Sequence, residues 1–241
     1  MDVSEKAKEI LDSVQKYWKG LQDKHPQYSS LWRSGFSVFY SPVSQNPQFM
    51  LIGINPGGDE RCFDETRDSK IPLEHEYFKE DYPLAEIMRD IFKRAGLEQE
   101  LRQSVKTNLN FFRTKSEEQW SEIDANLRKE IESFCEKRVK EFIDVVKPRV
   151  IFCEAFSVLE RLLKILNQET SQLRIAHRSS KPSDRLYRLY QSFEFKDFYV
   201  NGIIGIPHPT GSVPPLSNKE NEEEKLKIAE LLKKDAKILL Q

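Results

Sequence analysis

The run QFMLIGI at Gln48–Ile54 constrains this chain most, because it is almost wholly apolar and stops abruptly at Asn55-Pro56-Gly57-Gly58. A strand with one wet face alternates apolar and polar residues. One that is apolar throughout must be covered on both faces, as in a parallel sheet flanked by helices. A second such run, GIIGI at Gly202–Ile206, leads straight into Pro207-His208-Pro209-Thr210-Gly211-Ser212. Further strands are expected at Ser104–Leu109 and Val150–Cys153, with a short one at Ser37–Tyr40.

Between the strands lie helical patterns. Residues 3–24 repeat Ile10, Leu11, Val14, Trp18 and Leu21 on one stripe,. Pro83 opens a helix to about Arg94 that Gly96 ends,. Asp124–Val146 and Phe156–Leu166 read as helices, as does Lys219–Leu240, whose acidic run Glu220–Glu224 suits a first turn,. The flanks of RSSKPSD within 173–193 fit strand or helix equally. Alternating strands and helices predict an α/β fold, a three-layer αβα sandwich with a mainly parallel central sheet. A single domain over 1–241 is expected, with the helices at 3–24 and 219–240 packed on it. In such sheets ligands gather at the carboxyl edge. That places the loops NPGGDE, NLNFFRTK and PHPTGS together.

The chain has 241 residues, 32% of them charged, with a formal net charge of −1. A near-neutral balance argues mildly against a polyanion partner, although a local basic patch suffices. Cys62, Cys135 and Cys153 form no CxxC pair, so neither a disulfide framework nor a metal cluster is expected,. No stretch has the length of a membrane span, and the start MDVSEKAKEI has no apolar leader core,. A cytoplasmic monomer without metal or cofactor is the expectation. His25, His75 and His177 stand outside any motif and read as surface or packing residues.

Two motifs carry chemistry. Gly53-Ile54-Asn55-Pro56-Gly57-Gly58 permits a sharp turn and close backbone approach to a ligand,. His208, clamped between Pro207 and Pro209, is held rigidly because each proline fixes its own φ and restricts its predecessor,. Each motif alone is a common turn. Their order, each directly after an apolar strand, is more specific.

In these residues the chain resembles the uracil-DNA glycosylase superfamily. GINPG is similar to the first motif of the mismatch-specific and thymine-DNA glycosylase branch. HPTGS resembles the second motif, usually HPS, and Thr107-Asn108-Leu109 resembles the strand that supplies the base-reading asparagine. The likeness spans roughly Gln48 to Ser217. It implies a monofunctional DNA glycosylase that hydrolyses the N-glycosidic bond of uracil or a C5-modified pyrimidine, with DNA as partner.

By that resemblance Asn55 holds the attacking water through its amide oxygen, since an amide cannot take a proton as a carboxylate does. His208 bonds O2 of the departing base, and Asn108 reads N3 and O4. Gly57 stands where the most uracil-selective branch carries a tyrosine against C5, which predicts tolerance of a C5 substituent. Phe63, then Tyr77, are the candidates to stack on the base. DNA contact is expected from Gly58, Arg113, Lys115 and Lys181, and from the wedge loop of Thr210, Gly211, Ser212, Val213 and Leu216. Val213 and Leu216 are the candidates for insertion. Two other readings stay open: a glycosylase for bulky modified pyrimidines in phage DNA, serving antiphage defence, and a non-catalytic nucleotide-binding or DNA-binding relative.

Overall fold

A computed structural model describes residues 2–169, 172–177, 185–190, 192–210 and 221–241. The apolar runs form the centre of a six-stranded, mixed, mostly parallel sheet. Its strands are β1 (Phe49–Gly53), β2 (Val105–Asn108), β3 (Val150–Cys153), β4 (Arg174–His177), β5 (Arg185–Tyr190) and β8 (Gly202–Gly205). The order is β2-β1-β3-β8-β5-β4. The first four strands of that order pair in parallel, while β5 runs antiparallel to both β8 and β4. A separate antiparallel pair, β6 (Phe193–Phe195) and β7 (Phe198–Val200), precedes β8.

Residues of β1 point alternately to two separate apolar clusters, which explains why the strand is apolar throughout. Met50 and Ile52 join Ile151, Cys153 and Ile203 against helices Val3–Lys24, Ala125–Val146 and Phe156–Ile165. Phe49 and Leu51 join Val150, Phe152 and Ile204 against helices Pro83–Ala95 and Glu222–Leu239. Helix ends follow local chemistry. Pro83 occupies the first turn of its helix and Gly96 closes it at φ 76°,. The Asp124 carboxylate accepts from the amides of Asn126 and Leu127, and Lys147, left-handed at φ 52°, ends that helix before Pro148,.

Ser37–Tyr40 corrects one expectation. The segment lies alongside β2 and the loop after it, with Ser37 N donating to Phe111 O and Tyr40 N to Lys106 O. Apart from one isolated bridge between Phe36 and Phe112, no ladder forms, so it is not a strand. Residues 173–193 resolve as strand rather than helix where described. The C-terminal helix begins at Glu222, and Lys219 and Glu220 lie outside the described residues. Among the described residues, no helix is long and apolar enough to cross a membrane.

Candidate functional site

Parallel pairing brings the carboxyl ends of β1, β2, β3 and β8 to one edge. Gly53 ends β1, Asn108 ends β2, Glu154 follows β3 and His208 follows β8. These four residues, with Asn55, Gly57 and Lys106, line a cavity of about 280 Å³. Tyr40, Glu76, Glu80, Tyr82 and Arg113 complete much of its wall.

Gly53 is the saddle over which this site is built. A Cβ there would stand 2.2 Å from Asn108 Oδ1 and 2.9 Å from Glu154 Oε2. A side chain there would displace the Asn108 amide and the Glu154 carboxylate from these positions, so glycine is favoured by close approach rather than by backbone dihedrals. Gly57 is the opposite case, with nothing within 4 Å of an added Cβ. Gly58, at φ 102°, makes the turn that follows,.

The Asn55 amide is tied back at its nitrogen. Nδ2 donates to Thr114 Oγ1 at 3.0 Å and to Pro56 O at 3.2 Å. The carbonyl oxygen is left as the acceptor. His208 Nδ1 lies 3.4 Å from the Thr210 hydroxyl. If that hydroxyl donates, the proton of the neutral ring sits on Nε2. Burial lowers the His208 pKa, and Lys106 adds to the shift while Glu154 opposes it, so the ring is favoured neutral,.

The floor of the cavity is a buried ionic network. Lys106 shares a face of β2 with Asn108, two residues on. Its ammonium lies 3.0 Å from Glu154 and 3.4 Å from Glu76. It also sits over the rings of Tyr40 and Tyr77, at 5.1 and 4.9 Å. The Tyr77 hydroxyl donates to the other Glu154 oxygen. Burial works against the Lys106 charge, but Glu154 and Glu76 together outweigh it and raise its pKa. Burial also raises Glu76. Burial pushes the Tyr40 hydroxyl up to about 12.

Several expected residues lie elsewhere. Phe63 does not line the cavity; its ring packs over Gly35 and against Trp18 and Phe36, at 5.2 and 5.6 Å. Tyr77 is fully buried beneath the network, so it offers no open face for stacking. Of the aromatics that line the cavity, Tyr40 and Tyr82 were not singled out by sequence. Arg113 faces inward: Nη1 donates to Gly57 O at 3.0 Å and Nη2 lies 3.5 Å from Asp68. It buttresses the glycine turn. Lys115 is exposed and 3.5 Å from Asp59. Thr210 is exposed beside His208. Lys181, Gly211, Ser212, Val213 and Leu216 lie outside the described residues.

His75, on the loop before Glu76, is buried against Ser104, with Nε2 3.1 Å from the hydroxyl, and its Nδ1 accepts from Tyr77 N. Burial, with Lys106 and Arg102 nearby, lowers its pKa from 6.5 to about 3. Below pH 6.5 the unfolded chain takes up a proton that the folded one refuses until about pH 3. This contribution to stability is therefore complete above pH 6.5 and is lost as pH falls, by up to about 1.4 kcal/mol per unit,. Urea titrations across that window should show a shallower acid slope for His75→Asn than for wild type. Equal slopes would show that His75 is not the group responsible.

Among the described residues, no three His, Cys, Asp or Glu side chains gather to hold a metal ion. Comparison with protein-family models and with curated proteins finds no match for the chain.

Proposed function

We propose that the chain is a monofunctional DNA glycosylase that releases uracil or a C5-substituted pyrimidine. In this reading its α/β architecture is the three-layer glycosylase type. The supporting observation is convergence: Asn55 and His208, from two separate loops, and Asn108, at the end of β2, line one cavity with Gly57. The transition state of N-glycosidic hydrolysis carries positive charge on the sugar and negative charge on the pyrimidine. The free carbonyl of Asn55 holds a water below C1′. The C1′–N1 bond breaks with its electron pair passing to the base, and the water oxygen adds to C1′ as its proton leaves to solvent. The Nε2–H of a neutral His208 donates to O2 as charge builds there, with Thr210 fixing the tautomer. A single donor of this kind contributes on the order of 3 kcal/mol. Asn108 faces the ring edge, and Tyr40 or Tyr82 takes the stacking role expected of Phe63.

Gly57 sets the substrate range. The space beyond its Cα is open, so a substituent at C5 meets no side chain there. A clash of methylene size discriminates by roughly 1–3 kcal/mol. The test is a panel of oligonucleotides bearing uracil, 5-hydroxymethyluracil and bulkier C5-substituted pyrimidines, scored by alkaline strand cleavage. At least one substituted base should be released at a rate comparable with uracil. Gly57→Tyr, whose Cβ would meet nothing within 4 Å, should suppress that base more than uracil. A wild-type enzyme confined to uracil, with its preference unaltered in Gly57→Tyr, would overturn the assignment of Gly57.

A further inference from the structure

Asn108 is 4% exposed, yet neither end of its amide is hydrogen-bonded to another described residue. A buried amide without partners is costly, and this one lines the cavity, where a ligand can satisfy it,. The amide reaches over Gly53 and shares that saddle with Glu154 Oε2; the two stand 2.2 and 2.9 Å from the place a Cβ would take. Both oxygens of Glu154 accept, Oε1 from the Tyr77 hydroxyl and Oε2 from the Lys106 ammonium. Oε2 keeps a second lone pair.

An amide exchanges its ends by a half-turn about Cβ–Cγ, so its neighbours decide which end faces where. With Oδ1 over Gly53, as here, an amide oxygen meets a carboxylate oxygen and neither has a proton to share. With Nδ2 there, one hydrogen donates to Oε2 in a charge-assisted bond and the other stays free for a ligand. The rest of the wall favours the same turn. Glu76 and Glu80 line the cavity with Glu154. The charged donors are committed, Lys106 between Glu154 and Glu76, and Arg113 to Gly57 O. This wall suits a ligand edge that presents a hydrogen where it meets the outer end of the amide.

The strand order β2-β1-β3-β8 sets Asn108, Gly53, Glu154 and His208 in a row along the sheet edge. In the glycosylase reading, on which this inference rests, O2 of the base lies at His208, so N3 and position 4 extend toward Asn108. The amide end over Gly53 then meets N3, and the outer end meets position 4. We propose that Glu154 is a positioning residue that holds Nδ2 of Asn108 over Gly53, and that the cavity therefore takes a 4-aminopyrimidine, a cytosine-type base substituted at C5. Nδ2 donates to the bare N3, and Oδ1 accepts from the 4-amino group. Uracil offers the reverse pattern, a proton on N3 and an acceptor at O4. It pairs only when the amide turns its oxygen onto Glu154.

The experiment compares single strands that differ only at position 4 of one base, 5-hydroxymethylcytosine against 5-hydroxymethyluracil. Both bases are carried on 2′-fluoroarabinose, which resists hydrolysis, so affinity is read apart from the ease with which each base leaves. Single strands remove any difference in pairing. Wild type should bind the cytosine strand about tenfold tighter or more, and Glu154→Gln, whose amide donates as readily as it accepts, should narrow the ratio to about twofold. A loss of stability alone would weaken both affinities together and leave their ratio unchanged. Equal affinities in wild type, tighter binding of the uracil strand, or an unaltered ratio in Glu154→Gln would overturn the proposal. If Glu154→Gln does not fold, the wild-type ratio decides it. On ordinary deoxyribose strands, wild type should release 5-hydroxymethylcytosine, and release confined to the uracil strand would also overturn the proposal. Release of neither base would overturn the glycosylase reading, and the affinity ratio would still decide the role of Glu154.

Discussion

Asn55→Ala is expected to lower single-turnover base release on the order of a hundredfold or more while changing DNA affinity little. The asymmetry follows from where the group acts. With Nδ2 occupied by Thr114 and Pro56 O, the proposed reaction gives the remaining oxygen the attacking water, which carries charge only as the bond breaks. Removing it costs transition-state stabilisation and leaves ground-state contacts to the ring and phosphates in place. Thr114→Val should reproduce part of the loss, because it frees the amide to rotate. Full rates in Asn55→Ala would mean that a different group activates the water. Glu154, the carboxylate whose Oε2 lies over Gly53, would be the first to examine.

The second large effect is on stability. Glu154→Ala leaves Lys106 buried, with Glu76 at 3.4 Å as its remaining carboxylate, and deprives the Tyr77 hydroxyl of its acceptor. Removing one partner of a buried pair costs about 3–5 kcal/mol, a large share of the 5–15 kcal/mol typical of a whole domain. Urea unfolding measures it directly. Glu154→Gln keeps an acceptor for Tyr77 and should lose less. Pairing Glu154→Leu with Lys106→Met removes both charges, and should cost less than the two single changes added together. A loss below about 1 kcal/mol in Glu154→Ala would show that water reaches Lys106 and compensates the lost carboxylate.

The sheet was legible because its signal is local. A strand covered on both faces is apolar at every position, and β1, β3 and β8 are short runs of that kind, bounded by glycine, proline or a helix cap. The ends of β1 and β8, with β2 beside β1, then placed Asn55, His208 and Asn108 at one edge. The network was not legible, because its residues meet only in three dimensions. Lys106 in a strand looks like a solvated charge until Glu154 crosses Gly53 to meet it. One clue was present: Lys106 and Asn108 are two apart, so whatever face one occupies the other shares. Phe63 shows the converse limit. An aromatic after a turn serves a ligand or the core equally well, and here Gly35 leaves the space its ring fills. Ser37–Tyr40 has strand composition, but its hydrogen bonds to Phe111 and Lys106 are too irregular for a ladder.

The measurement that bears most directly on the account is the product itself. Oligonucleotides carrying uracil or a C5-substituted pyrimidine would be incubated with the protein and the supernatant analysed for free base by mass spectrometry. The account predicts an intact free pyrimidine, an abasic site left in an unbroken strand, and strong suppression of both in His208→Ala and Asn55→Ala. Base release that is absent across the panel, or equal in wild type and both variants, would contradict it.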